Sequence, residues 1–309
     1  MRESAARFGK DAALVGVVCE PATESGYRAR PAVLLLNAGL IHRVGPSRLY
    51  VRLARALAAQ GFLTMRFDLS GRGDSDARPG VQSTAMDSLA DVQAAMDLLE
   101  QSKNVSRFIV AGVCSGAVAA AEAARVDRRI AGAVLISAYA YPTVQSRIRH
   151  YLRRLGKPKR WWNTLAGRNE LGRALRRALF VRGGVANEGE MTDDTTGARS
   201  RQAAAVMFRE MIARGVCLFV IHPGGDAYNY RRQFEDAFSD VNFEDKLAVE
   251  YVPQADHTFT RLLNQQRLQD AIVGWARSRF QIRVNETPDP APESPPTPFG
   301  LRAAAESSR

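Results

Sequence analysis

The stretch Val110-Ala111-Gly112-Val113-Cys114-Ser115-Gly116-Ala117 decides how this chain is read. The β-favouring run Phe108-Ile109-Val110 enters it and an alanine-rich run, Ala117 to Ala124, leaves it. That order is strand, tight turn, helix. The residue at the apex of such a turn is forced into strained backbone geometry, so its neighbours two before and two after must be tiny. Counted from Cys114, those neighbours are Gly112 and Gly116. Counted from Ser115 they would be Val113 and Ala117, and the valine would crowd the turn. The turn is therefore predicted to present the thiol of Cys114, with Ser115 one step along the helix. A structural cysteine in a glycine-rich turn would fit the same eight residues, so the rest of the chain has to decide.

Three other segments bear on that choice. The apolar run Ala32-Val33-Leu34-Leu35-Leu36 is followed by the small-residue turn Asn37-Ala38-Gly39-Leu40. Val216 to Ile221, strand-like, is followed by His222-Pro223-Gly224-Gly225-Asp226. Leu247 to Val252 is followed by Gln254-Ala255-Asp256-His257-Thr258-Phe259 and then a long helical pattern. Each candidate group thus falls at the C-terminal end of a predicted strand, in the order turn, nucleophile, acid, histidine.

This arrangement resembles the α/β-hydrolase family, whose triad partners run in that chain order. Asp68-Leu69-Ser70-Gly71-Arg72-Gly73-Asp74-Ser75 is similar to the family's loop after its fourth strand. The resemblance covers roughly residues 12–141 and 206–280. It departs from the commonest pattern in two places: the nucleophile is Cys, as in dienelactone hydrolases, and the oxyanion turn reads Asn-Ala-Gly. Both departures, with Arg43-Val44-Gly45-Pro46 following, are similar to hydrolases encoded with exosortase A systems. The resemblance implies a mostly parallel central sheet flanked by helices, with a cap inserted after the sixth strand.

Alternating strands and helices point to the same architecture. Strands are predicted at Leu14–Cys19, Ala32–Leu36, Phe62–Phe67, Phe108–Val113, Ile130–Ser137, Val216–Ile221 and Leu247–Val252. Tyr50, Leu53, Ala54 and Leu57 repeat at helical spacing after Pro46-Ser47, and Leu89, Val92, Met96 and Leu99 form a second stripe. A terminal helix within Ala255–Phe280 is given an apolar face of Leu262, Leu263, Leu268, Ile272, Val273 and Trp275. The rhythm breaks after Ala140. We therefore divide the chain into a first core part (1–141), a basic helical cap (142–205), a second core part (206–283) and a Pro-rich tail (284–309) expected to be disordered.

Composition bounds the rest. The 309 residues are 46% hydrophobic and suffice for one large α/β domain with an insertion. Three scattered cysteines, Cys19, Cys114 and Cys217, fit a reducing, cytoplasmic compartment better than a disulfide framework. No signal-peptide h-region is visible at the N-terminus and no run approaches the ~18 apolar residues of a membrane span. The net charge is +11, and it is local. Of 43 Lys and Arg, twelve lie in residues 147–182 beside a single acid, Glu170, which leaves 31 basic against 31 acidic residues elsewhere. That segment carries no nucleic-acid-binding motif. It suits either an anionic acyl substrate, small or carrier-bound, or a solvated helical face. Trp161-Trp162 within it could bind substrate, touch an anionic membrane surface or pack the cap onto the core.

The chemistry expected is a Cys114–His257–Asp226 triad, with His257 as base and Asp226 fixing its tautomer. Asp256, next to His257, is read as a loop-shaping residue. Backbone N–H groups of Ser115 and of Gly39 or Leu40 would hold the oxyanion. Arg43 would hold a substrate carboxylate or bridge loops. No metal or nucleotide cofactor is expected: the histidines are isolated, and Gly71-Arg72-Gly73 lacks the context of a phosphate-binding loop. The function expected is cleavage of an activated acyl compound, with acyl transfer to another acceptor and a catalytically weak binding protein as the alternatives.

Overall fold

The computed structural model describes residues 1–22, 27–78, 85–146, 200–224 and 228–280. The basic stretch 147–182 with Trp161 and Trp162, the acid Asp226 and the Pro-rich tail lie outside the described residues.

Among the described residues, eight strands form one sheet in the order β1-β2-β4-β3-β5-β6-β7-β8. They are β1 (Arg2–Phe8), β2 (Leu14–Glu20), β3 (Ala32–Leu36), β4 (Thr64–Phe67), β5 (Phe108–Val113), β6 (Ile130–Ile136), β7 (Cys217–Pro223) and β8 (Leu247–Val252). From β4 to β8 the pairings are parallel, and β1 and β2 are added antiparallel. The helices are α1 (Leu49–Ala59), α2 (Ala85–Lys103), α3 (Ser115–Val126), α4 (Arg201–Ala213), α5 (Gln233–Ala237) and α6 (Leu262–Arg279). This is the α/β-hydrolase fold expected from the sequence.

Strand periodicity divides the core. Val33 and Leu35 of β3, Ile109 and Ala111 of β5 and Val134 and Ile136 of β6 pack with α1 and α6. Leu34 and Leu36, Phe108 and Val110, and Ala133 and Leu135 pack with α2, α3 and α4 on the other face. Burying a Leu or Phe side chain fully contributes about 1.5–3 kcal/mol. The β3 run Ala32–Leu36, buried along its whole length, therefore sits at the centre of the sheet. The chain moves from β3 outward to β4 and then returns to β5 on the other side of β3. The crevice between the C-terminal ends of β3 and β5 is thus the switch point of the sheet, where open α/β sheets bind ligands.

Two expectations need correction. Leu262 and Leu263 are 62% and 86% exposed, so they do not belong to the apolar face of α6. That face is Gln265, Leu268, Gln269, Ile272, Trp275 and Ala276. Leu262 continues this stripe one turn beyond the core, whereas Leu263 aligns with the solvent-facing Gln266, Arg267 and Asp270. Strand β1 was not foreseen, because of its residues only Phe8 enters the core. No helix among the described residues is long and apolar enough to cross a membrane.

Candidate active site

Cys114 stands between β5 and α3 with φ 56° and ψ −119°, a conformation a non-glycine residue rarely adopts. Its two glycine neighbours make this possible. A side chain on Gly112 would run into the backbone of Gly116, and one on Gly116 into the carbonyls of Asn37 and Leu36. Strand, turn and helix can close up this tightly only with both glycines in place, which is the steric pattern the sequence displays. Tyr50, fully buried in α1, braces the same corner. Its hydroxyl donates to the Leu36 carbonyl at 2.7 Å and accepts from the Val113 N–H at 3.0 Å.

The structure brings Cys114 and His257 together. The neighbouring His257 ring holds the half-buried thiol below its ordinary range, against the opposing effect of burial. The imidazolium charge and the Ser115 N–H add to the lowering. The same juxtaposition with Cys114 raises the His257 pKa. Each group therefore favours the charged form of the other, a thiolate beside an imidazolium.

His257 is exposed on the loop after β8, and two features hold that loop. Asp256 turns its carboxylate onto the loop itself, accepting the Thr258 N–H at 3.1 Å, the Thr260 N–H at 3.1 Å and the Thr260 hydroxyl at 2.6 Å. It shapes the loop, as expected. Ser137, just past β6 with φ 56°, donates its hydroxyl to the His257 carbonyl at 2.8 Å. Nothing in the sequence marked Ser137, since the contact spans 120 residues.

The turn after β3 is tied from several sides. Asn37, completely buried, donates to the Ile41 carbonyl at 2.7 Å and to Asp68 at 3.0 Å, and accepts the Leu69 N–H at 2.7 Å. Gly39 has φ 58°. Its N–H donates to the Ser115 hydroxyl at 2.8 Å, and its carbonyl accepts from the Arg72 guanidinium at 2.8 Å. Leu40 is 85% exposed and its N–H meets no acceptor among the described residues. Of the two candidate donors in this turn, Gly39 is thus already engaged and Leu40 is not.

Arg43 bridges loops. Its guanidinium pairs with the fully buried Asp68 and, at 2.7 Å, with Asp74, while its N–H reaches Asp68 at 2.6 Å. His42, Asp68 and Asp74 bring three potential ligand atoms within 4.8 Å of one another, but the Arg43 guanidinium already supplies the positive charge there. The two other described histidines have partners of their own. His42 pairs with Asp74 at 3.2 Å. His222 is buried against Tyr228, with ring centroids 3.3 Å apart, and desolvation drives its pKa well down. His150 and Asp226 lie outside the described residues. Gly224, two residues before Asp226, packs so closely on Pro253 that a side chain there would enter the Pro253 backbone. Its N–H donates to the Val252 carbonyl at 2.9 Å.

Residues 30–260 match the model of the Hydrolase_4 family, described as serine aminopeptidase, S33. No curated protein matches the chain. Solved structures similar to it include Est1E from Butyrivibrio proteoclasticus, at 14% identity and TM-score 0.55, covering 89% of this chain and 98% of that one. The proline iminopeptidase of Mycobacterium smegmatis aligns at 16% identity and TM-score 0.55, covering 90% and 98%. The Pyrococcus furiosus esterase Pf2001 aligns at 16% identity and TM-score 0.55, covering 90% and 91%. At these identities the likeness concerns the fold.

Proposed function

The chain belongs to the Hydrolase_4 family of α/β-hydrolases, and from that premise we propose that it cleaves activated acyl compounds with a thiol, Cys114, as its nucleophile. The observation that carries this reading is the juxtaposition of Cys114, at the strained turn between β5 and α3, with the His257 ring. The thiolate attacks the acyl carbonyl, and its oxygen becomes an oxyanion facing the Ser115 and Leu40 N–H groups. Collapse of this intermediate breaks the bond to the leaving group, which takes the proton of the His257 imidazolium. An acyl thioester remains on Cys114. Water then gives a proton to the neutral His257 as it attacks, and the expelled thiolate restores the ion pair.

Asp226 is our candidate for the group that orients His257. The backbone contact between Gly224 and Pro253 supports this, because it joins the loop bearing Asp226 to the loop bearing His257. Arg43 is read as a bridge between loops in preference to a substrate ligand, since its guanidinium is already paired with two carboxylates.

A thiol nucleophile selects its substrates. The intermediate expels the better leaving group, and a thiol with a pKa near ~8.5 leaves far more readily than a simple alcohol. Alkyl esters would fall back to substrate, while thioesters, aryl or enol esters and strained lactones go forward. The dienelactone-type cysteine fits that class.

The test combines intact-mass analysis with an aryl ester, an acyl thioester and an alkyl ester of one acid. An acyl adduct on the wild type should be absent from Cys114→Ala and retained by Ser115→Ala. The aryl ester and thioester should turn over more than about tenfold faster than the alkyl ester. An adduct that persists in Cys114→Ala and vanishes in Ser115→Ala would overturn the assignment, and equal rates across the three compounds would remove the leaving-group reasoning.

A further inference from the structure

The unit of the turn after β3 that bears the proposed oxyanion donor is the peptide joining Gly39 to Leu40. Gly39 has no Cβ and stands at φ 58°, so the peptide that follows it meets little steric resistance to rotation. Its orientation matters to the chemistry proposed above. One way round, the Leu40 N–H faces the crevice. After a flip, the Gly39 carbonyl would face it and repel an oxyanion.

Arg72 decides between the two. Its guanidinium donates to the Gly39 carbonyl at 2.8 Å. No cis peptide occurs among the described residues, and in a trans peptide the carbonyl and the following N–H point in opposite directions. Holding the carbonyl on Arg72 therefore aims the Leu40 N–H away from Arg72. On the other side of Gly39, the Ser115 hydroxyl accepts its N–H at 2.8 Å. The turn is thus pinned at one end to α3 and at the other to the loop after β4.

That loop is itself fixed. The Arg72 N–H donates to the Leu69 carbonyl at 3.0 Å, the Ser75 N–H to the Arg72 carbonyl at 3.0 Å and the Gly71 N–H to the Asp76 carbonyl at 3.1 Å. Gly73, at φ 53°, packs on the Asp68 carboxylate where any side chain would collide with it. Ser70 is held by Asp91 through both its N–H and its hydroxyl, at 2.8 Å each. The guanidinium is half-buried and is delivered from a rigid frame.

We propose that Arg72 is a positioning residue for acyl transfer, clamping the Gly39 carbonyl so that the Leu40 N–H is preorganised as an oxyanion donor. The proposal rests on the acyl-transfer reading above and adds to it a residue whose side chain does not touch the reacting atoms. Preorganised donors carry much of the rate in such reactions because they need no reorientation when charge develops.

The test compares Arg72→Met, which removes the donors, with Arg72→Lys, which keeps the charge and one donor. Three measurements are made: ester kinetics, the pH profile of Cys114 alkylation by iodoacetamide, and amide hydrogen exchange of the 37–44 segment. Loss of one oxyanion donor costs about 10²–10³ in rate, and a misaimed donor should cost less. In Arg72→Met we expect kcat to fall about ten- to hundredfold with KM unchanged. The alkylation midpoint should stay where it is, since the Cys114–His257 pair is untouched. Exchange across 37–44 should quicken, and Arg72→Lys should recover part of both losses. A kcat within about twofold of wild type, or a loss confined to KM, overturns the clamp. If the wild type cleaves no ester, the acyl-transfer reading falls on its own account. The exchange data then decide the clamp: faster exchange in Arg72→Met supports it and unchanged exchange overturns it.

Discussion

The two halves of the site are built to different standards. The turn after β3 is fastened by side chains that reach it from elsewhere: Asp68, Arg72, Ser115 and, through Leu36, Tyr50. The loop carrying His257 is fastened mostly by itself, through Asp256 and two threonines within four residues. Among the described residues its hydrogen bonds to other elements are fewer: the Ser137 hydroxyl on the His257 carbonyl, and Asn264 on the Gln254 carbonyl at 3.0 Å. The difference matches the work the proposed mechanism gives each half. Oxyanion donors act as fixed dipoles and lose their value if they must reorient. A histidine that first donates a proton to a leaving group and then accepts one from water has to serve two positions, and a lighter hold suits that task.

The largest effect should come from breaking the frame of the first half at Asp68. This carboxylate is fully buried and accepts from the Arg43 guanidinium, the Arg43 N–H, the Asn37 amide and, at 3.1 Å, the Asp74 N–H. Removing it takes a buried acceptor from all of these donors and leaves the Arg43 guanidinium with Asp74 alone, at a cost of about 3–5 kcal/mol. Asp68→Ala should lower the unfolding free energy measured in urea by that amount, with Asp68→Asn falling between it and wild type. A loss under about 1 kcal/mol would mean that the frame is less cooperative than its hydrogen bonds suggest.

A smaller effect is expected on the other side, at Ser137. Its single bond to the His257 carbonyl is worth about 0.5–1.5 kcal/mol, so Ser137→Ala should slow turnover a few-fold. The sign of a second readout follows from the pKa directions. His257 lowers the Cys114 pKa, so a less well held ring should let that pKa rise. The midpoint of Cys114 alkylation by iodoacetamide should then move to higher pH. Slower turnover with an unmoved midpoint would assign Ser137 to general stability and leave the histidine loop with no positioning tie from β6.

Legibility follows the same division. The spacing of Gly112, Cys114 and Gly116 could be read because the turn's steric demand falls on adjacent residues and so leaves a local mark. His257 could be read from its place between a strand and a helix. Asn37, Tyr50, Arg72 and Ser137 could not, because each acts through a hydrogen bond to backbone brought close only by the sheet. Arg72 looked like one member of a glycine-rich run, and Tyr50 like one more apolar residue on a stripe. The engagement of Gly39 was also hidden, since sequence leaves Gly39 and Leu40 equivalent and only the Ser115 hydroxyl separates them.

The smallest effect lies where the histidine half runs into α6. The sequence reading groups Leu262 and Leu263 with Leu268 on one apolar face, yet only Leu268 is buried. A helix buries residues where there is something to pack on, and the buried stripe of α6 begins only at Gln265. Leu263 also points with Gln266 and Arg267, whose side chains pair with Asp270 and Glu250 on the exposed surface. Leu263→Gln should therefore change the unfolding free energy by no more than about 0.5 kcal/mol. Leu268→Ala, which opens a cavity in the core cluster under α6, should cost about 2–5 kcal/mol. Because Leu263 follows the His257 loop so closely, the same variant also asks whether the mouth of the site uses its exposed leucines. If Leu263→Gln raises KM for a long-chain acyl thioester and leaves a short-chain one unchanged, the lightly held half also serves as an acyl-binding rim. If both KM values stay put, Leu263 is exposed surface and the comparison between the halves rests on hydrogen bonding alone.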